Sequence, residues 1–364
     1  MFILFILFLL HFSIGFIGEV IKAKFITNIM SWLLLATVFV FTVGLRYTAD
    51  YKMYSFLFTH EIGITDVGFK QLTILFKEHR LTYDDLFLTH IIVYTILYFI
   101  FIKRYTSNYF YVFLAFILID YVHYANQIRY YLAFSLLLFA FHFMFKRRYL
   151  WMIICCILAF VSHSATIVLF TFIPIYFFIK TNNYFKFIFI LSIACFAIVY
   201  LGFSLGFARQ IEHFGEYFDK GGISGFAGGL FNSLPYIILV GFLYIQTKKY
   251  FKNNENWIND KKFIFLYKLS FYTVIFIPAA FFVQIAGHRY VMPFLTIYVI
   301  YFLYIIRDNP IRQKSHAILG FSTVCFIVSI FIYILPTYIL KENHFVHELE
   351  LMLESIKYLK YKQW

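Results

Sequence analysis

Long apolar runs alternate with short polar connections along the whole chain. The runs lie at about 2–21, 28–45, 86–102, 108–122, 128–145, 149–179, 187–204, 232–247, 263–284, 290–306 and 315–338. Most approach the roughly 20 residues a helix needs to cross the hydrocarbon core of a bilayer. The pattern predicts an all-α polytopic integral membrane protein, with about 10–12 transmembrane segments. The run 149–179 is too long for one span, and Ser162-His163-Ser164 interrupts its middle. A broken or re-entrant helix is expected there, and non-helical backbone at that depth must be buried in protein or line a watered cavity. Residues 1–340 are expected to form a single transmembrane bundle. Beyond them, in 341–364, Phe345, Leu349, Met352, Ile356 and Leu359 recur at spacings of four and three. That spacing predicts a C-terminal amphipathic helix, lying on the membrane surface or packed on the bundle.

Composition agrees with the pattern. Hydrophobic residues make up 62% of the 364 and charged residues 13%, whereas soluble domains carry about 25% charged residues. The formal charge of +13 points to basic cytoplasmic loops rather than to nucleic acid. Met1 to Ile17 has no basic flank and no small-residue cleavage site, so it reads as a retained first helix. Cys155, Cys156, Cys195 and Cys325 all lie in apolar runs without C-x-x-C spacing, as buried structural thiols do.

Charge gives the topology. Basic residues gather after alternate runs: Lys22 and Lys24; Lys103 and Arg104; Lys146-Arg147-Arg148; Lys180 and Lys186; Lys248 to Lys262; and Arg307, Arg312 and Lys314. Together they hold more than half of the 31 Lys and Arg, and the positive-inside rule places them in the cytoplasm. The outer face then carries two longer loops, about 46–85 and 205–231, with short corners near 123–128 and 286–289. The first loop mixes charge signs, as a folded polar cap does. The second is rich in glycine, which fits a mobile lid or a plain flexible connection. Asp84-Asp85, just before the third span, suits helix capping better than metal binding.

Four arginines stand out against this background: Arg46, Arg129, Arg209 and Arg289. All fall on the predicted outer side at the heads or ends of apolar runs, where an ionised side chain is expensive and marks a functional cavity or a bound group. Arginine's planar fork grips phosphate oxygens, so a lipid-linked phosphate or pyrophosphate is the expected partner. Neighbouring rings (Tyr47, Tyr51, Tyr54, Tyr121, Tyr124, Tyr130, Tyr290) suit sugar stacking, although for any one of them an ordinary interfacial aromatic belt is the plainer reading. Glycosyl transfer from a pyrophosphate lipid needs stabilisation of the departing pyrophosphate and a base for the acceptor hydroxyl. His163 and Asp50 are the candidate bases. A helix-to-helix hydrogen bond is the plain alternative for His163. A salt bridge with Arg46, four residues away, is the alternative for Asp50.

The motifs carrying these residues resemble the EpsG-like group of Wzy-type polysaccharide polymerases. The likeness lies in Gly44-Leu45-Arg46-Tyr47 with Asp50, Tyr51 and Tyr54; in Asp66-x-Gly68-Phe69; in Asn126-Gln127-Ile128-Arg129 with Ala133; in Ala159 and His163-Ser164-Ala165; and in Arg289-Tyr290. Thr48-Ala49 stands where the group has a glycine before the aspartate. The resemblance implies a membrane glycosyltransferase of the bacterial cytoplasmic membrane, with its active site facing the periplasm or cell exterior. It would join undecaprenyl-pyrophosphate-linked oligosaccharide repeat units of an O-antigen, capsule or exopolysaccharide, working beside a flippase and a chain-length regulator. It would need no cofactor, metal or nucleotide sugar. Arg129, His163 and Asp50 are then the expected catalytic residues, and Arg46, Tyr47, Gln127, Arg289 and Tyr290 the expected substrate contacts; Arg209, which matches no motif of the group, joins them only for its place on the outer side. Two rival activities remain: a membrane O-acetyltransferase of surface glycans and a lipid-linked oligosaccharide flippase. The first needs its functional groups on the cytoplasmic side, and the second often shows two similar halves.

Overall fold

The computed structural model describes residues 2–21, 23–44, 49–61, 66–204 and 224–334. They are helical almost throughout. Eight helices are long and apolar enough to cross a membrane, and four shorter apolar helices accompany them among the described residues. The chain is thus an all-α polytopic membrane protein. Arg46, Tyr47, Arg209, most of the glycine-rich segment and the tail 341–364 lie outside the described residues.

The chain divides into two compact units. The described part of the first runs to Ile173, and the second is Pro174–Ile334.

The first unit contains α1 (Phe2–Val20), α2 (Lys24–Gly44), α3 (Ala49–His60), α4 (Val67–Glu78), α5 (Tyr83–Tyr105), α6 (Tyr109–Ile119), α7 (Tyr121–Asn126), α8 (Ile128–Phe145) and α9 (Tyr149–Ser162). Every residue of α6 from Phe110 to Ile119 is buried, as a helix that is apolar all round should be. The predicted span 108–122 is therefore α6 plus a turn into the short α7. The first predicted outer loop is mostly helix: α3 and α4 occupy it. Asp85 closes the start of α5 by accepting the Thr82 N–H at 2.7 Å and the Thr82 hydroxyl at 2.7 Å, so one member of the acidic pair caps the helix as its position predicts. Asp84 accepts from the Tyr51 hydroxyl, tying α3 to α5.

α8 and α9 form an antiparallel pair joined by Lys146-Arg147-Arg148. The joint is a Schellman turn: Arg148 N–H bonds Phe143 O at 2.9 Å and Arg147 N–H bonds Met144 O at 2.9 Å. Arg147 takes the left-handed position with φ 57°, where glycine is usual.

After α9 the chain reverses, as the interruption at Ser162-His163-Ser164 predicts. His163 is extended (φ −160°, ψ 114°), and a 3₁₀ helix follows over Ser164–Thr171. His163 packs edge-on against Tyr130 near the head of α8, centroids 5.6 Å apart. Phe172 packs against Phe141, centroids 4.8 Å apart. Positions 130 and 141 of one helix lie about 16 Å apart along its axis, so the segment after His163 returns toward the basic turn. The element is a re-entrant hairpin with its tip at His163.

The second unit contains α11 (Tyr184–Ser204), α12 (Phe226–Asn253), α13 (Lys261–Tyr272), α14 (Ile277–Phe282), α15 (Gln284–Tyr290), α16 (Leu295–Ile305) and α17 (Ile311–Ser329). The short α10 (Phe172–Phe178) spans the boundary between the units. Residues 226–231, expected in a loop because of their glycines, are the first turns of α12. Gly229 serves packing there: a Cβ would sit 2.5 Å from Phe281 O. Lys268 is buried in α13, and its ammonium donates to the carbonyls of Tyr176 at 2.9 Å and Ile179 at 2.5 Å. It thereby satisfies acceptors left open at the C-terminus of α10.

Candidate functional site

The hairpin tip, the head of α8 and the start of α4 converge on one carboxylate. Asp66 precedes α4, and its side chain is buried. It accepts from Arg129 Nη1 at 2.8 Å, from His163 Nδ1 at 3.1 Å and from the Ser164 backbone N–H at 3.2 Å, with the Ser164 hydroxyl at 3.5 Å. Side-chain exposure is 2% for Asp66, 11% for Arg129 and 15% for His163.

Each element brings its residue here for a local reason. α7 ends at Asn126, Gln127 is non-helical (φ −91°, ψ 54°), and α8 restarts at Ile128. That break places Arg129 in the first turn of α8, the positive end of the helix, where a cation is disfavoured. No acidic residue of α8 itself offsets it, and Asp66 does so from outside. Tyr54 of α3 and Phe69 of α4 cover the guanidinium, with their centroids 4.4 Å and 5.1 Å from Cζ. Cation–π contacts of this kind strengthen when they are desolvated. The reversal at His163 frees backbone groups that hydrocarbon would leave unpaired. Ser164 N–H finds Asp66, and His163 O accepts from the Thr166 hydroxyl at 2.8 Å.

Gly68 makes the approach possible. A Cβ there would meet Val161 O at 2.8 Å and Val161 Cγ1 at 3.1 Å. The Asp66-x-Gly68-Phe69 motif therefore has a physical meaning: the carboxylate clamps the arginine and the hairpin, the glycine lets α4 seat on α9, and the phenylalanine stacks on the guanidinium.

The electrostatics favour the ionised carboxylate. Burial pushes the Asp66 pKa up, but the hydrogen bond and charge of His163, the charge of Arg129 and the Ser164 N–H together hold it below the usual aspartate value of 3.8. A permanent guanidinium beside a hydrogen-bonded carboxylate produces this direction of shift.

Among the described residues, three buried polar atoms at the head of α8 have no hydrogen-bond partner: Arg129 Nε, Gln127 Oε1 and Asn126 Oδ1. They belong to one four-residue stretch, and buried polar atoms are rarely left unpaired. Together they offer one donor to an anion and two acceptors to hydroxyl groups.

Of the residues singled out in the sequence, the structure brings together Arg129 and His163, and places Gln127 two residues before Arg129. Asp50 stands in the first turn of α3, where an acid suits the helix dipole. It shares a face with Tyr54, four residues on. Arg289 and Tyr290 end α15 in the second unit, where Gly287 is packed so closely that a Cβ would lie 2.5 Å from Tyr236 Cε2. Tyr121, Tyr124 and Tyr130 are buried; they are interior packing residues rather than a belt or a sugar platform. Asp66 is the residue that site reasoning from the sequence missed. It appeared only within a motif, in a loop of mixed charge. The available signal was an acid beside a conformationally free glycine, in a chain that holds an otherwise uncompensated arginine.

The family model described as the EpsG family matches residues 29–349, nearly the whole chain. The chain belongs to the EpsG family, and it is a membrane protein of polysaccharide biosynthesis. No curated protein and no solved structure matches it.

Proposed function

We propose that this EpsG-family chain polymerises undecaprenyl-pyrophosphate-linked oligosaccharide repeat units of a surface polysaccharide, on the outer face of the bacterial cytoplasmic membrane. The observation that carries the proposal is the convergence of Arg129 and His163 on Asp66 at the tip of a re-entrant hairpin, beside buried donors and acceptors that lack partners among the described residues. The tip lies at the end of the α8–α9 pair opposite the basic turn, which the charge rule assigns to the cytoplasm.

The chemistry follows from these groups. Asp66 accepts a hydrogen bond from His163 Nδ1, so a neutral ring carries its lone pair on Nε2. A carboxylate in this position fixes the tautomer and orientation of the imidazole and raises its basicity. In the proposed step, His163 takes the proton from the acceptor sugar hydroxyl. The freed oxygen attacks the anomeric carbon of the donor chain. The bond from that carbon to the pyrophosphate oxygen breaks, and the pyrophosphate leaves on its lipid with the electron pair. Arg129 stabilises the charge that develops there. Asp66 engages one edge of the guanidinium and leaves Nε for a phosphate oxygen. Preorganised donors aimed at developing charge are the largest rate contribution in many enzymes. Asn126 and Gln127 would accept from sugar hydroxyls. Asp50 is the alternative base. The roles of Arg46, Tyr47, Arg289 and Tyr290 rest on the motif resemblance, and that of Arg209, which matches no motif, on its place among the arginines of the predicted outer side.

Incubating the purified chain with lipid-pyrophosphate-linked repeat units tests this reading. The expected products are a ladder of longer lipid-linked chains and stoichiometric free lipid pyrophosphate. Unchanged single units from folded protein would contradict it.

A further inference from the structure

At the end of the second unit that carries its basic connections, the last turns of α12, the C-terminal end of α16 and the first two turns of α17 surround a cavity of about 590 Å³. Lys249, Arg312 and His316 line it, together with the amides of Gln246, Asn253 and Gln313. No acidic side chain lines it among the described residues. Its volume is that of a small-molecule site.

Local structure accounts for only one of the two cations around it. Lys249 suits the C-terminal turns of α12. Arg312 does not suit α17: it lies in the first turn, where the helix end is positive and anions are favoured. No acid stands in that first turn to offset it. The first main-chain bond of α17 runs from Lys314 N–H to Pro310 O at 2.9 Å, so the amides of Ile311, Arg312 and Gln313 have no acceptor within the helix. Arg307 nearby is paired with Asp260 and Asp308, whereas Lys249 and Arg312 form no ion pair among the described residues. A cytoplasmic charge bias would be met by basic residues anywhere in these connections. It does not require them to converge, with amides, around one cavity at a helix N-terminus.

We infer that this cavity binds a phosphate-bearing anion: the headgroup of an anionic lipid in the adjacent leaflet, or a soluble phosphate compound. Two cationic side chains and the open amides of α17 would hold the phosphate oxygens, and the side-chain amides would hold hydroxyl or carbonyl groups of the rest of the ligand. The site shares no residue with the Asp66 cluster and does not depend on the polymerase reading.

The test uses the full chain in micelles of a zwitterionic phosphatidylcholine analogue. Phosphatidylglycerol is titrated in one arm and inorganic pyrophosphate in the other, with dissociation constants read by native mass spectrometry and thermal unfolding midpoints in parallel. The wild-type chain is expected to bind in at least one arm. Lys249→Gln/Arg312→Gln is expected to weaken that binding about tenfold or more, while its midpoint without anion stays at the wild-type value because both side chains are exposed. A response to lipid alone identifies a headgroup site, and a response to pyrophosphate identifies a site for soluble phosphate. Should the double variant unfold, each single variant carries the same comparison. Equal binding by wild type and variants, or binding lost only in Arg129→Lys, would overturn the inference.

Discussion

Replacing Asp66 by alanine removes the acceptor shared by Arg129 Nη1, His163 Nδ1 and Ser164 N–H. The guanidinium stays in place, only 11% exposed and covered by Tyr54 and Phe69, so it cannot recover hydration by a small movement. Breaking a buried ion pair by deleting one partner costs about 3–5 kcal/mol, because a charge is left unmatched. An unpaired buried N–H costs about 1–3 kcal/mol. The two effects share one cause and do not simply add. Asp66→Ala should therefore lose at least about 3 kcal/mol, measured as the free energy of unfolding of the purified chain in mild detergent. The mechanism of that loss makes a sharper demand. If it comes from the orphaned charge, Asp66→Leu/Arg129→Met should be far less destabilised than the two single variants together, with a coupling of about 2 kcal/mol or more. Both single variants and the double variant should fail to make polymer. A double variant as unstable as the sum of the singles would refute the ion pair as the element joining α4 to the hairpin.

Gly68→Ala puts a methyl group 2.8 Å from Val161 O; it should cost about 1–3 kcal/mol through overpacking and reduce polymerisation even though no charged group changes. Arg147→Gly relieves a left-handed backbone position at φ 57° and should stabilise the folded chain by about 1 kcal/mol, with polymer length unchanged; a destabilised variant would contradict the Schellman assignment. Because the native Asp66 carboxyl is held below its ordinary value of 3.8, its stabilising contribution is complete above about pH 4 and is lost as pH falls through the native value. Thermal stability measured from pH 7 to pH 3 should show this acid limb in the wild-type chain and a shallower one in Asp66→Asn, and identical limbs would contradict the shift.

Much of this architecture was legible in the sequence because the signals are local. Run lengths located the spans, Ser162-His163-Ser164 located the hairpin tip, and Thr82 to Asp85 located a helix cap. The glycines at 228 and 229 misled for the same reason: read locally they mark a loop, but in the fold Gly229 lets α12 pack on the backbone of Phe281. The outer segment 46–85 reads as loop because charged residues of both signs recur through it and no apolar run in it reaches spanning length. α4 nevertheless buries Phe69 and Thr73, and tertiary packing makes such short helices stable. The site was half visible. Arg129 and His163 stand out as polar residues in apolar runs. Asp66 does not, since a carboxylate in a polar segment is unremarkable by itself. Its partners lie 63 and 97 residues away in the chain, and no periodicity within one sequence reports such a contact.

In the proposed mechanism the guanidinium of Arg129 stabilises the departing pyrophosphate while Asp66 holds it in place. Arg129→Lys separates the two roles: the ammonium keeps the charge that pairs with Asp66 but lacks the planar fork. The decisive measurement is the length distribution of lipid-linked glycan in cells whose only polymerase is the Arg129→Lys chain, with the amount of folded protein measured in the same membranes. Wild-type levels of folded protein and an accumulation of single lipid-linked repeats are expected. Folded Arg129→Lys protein that makes chains of normal length would contradict the mechanism.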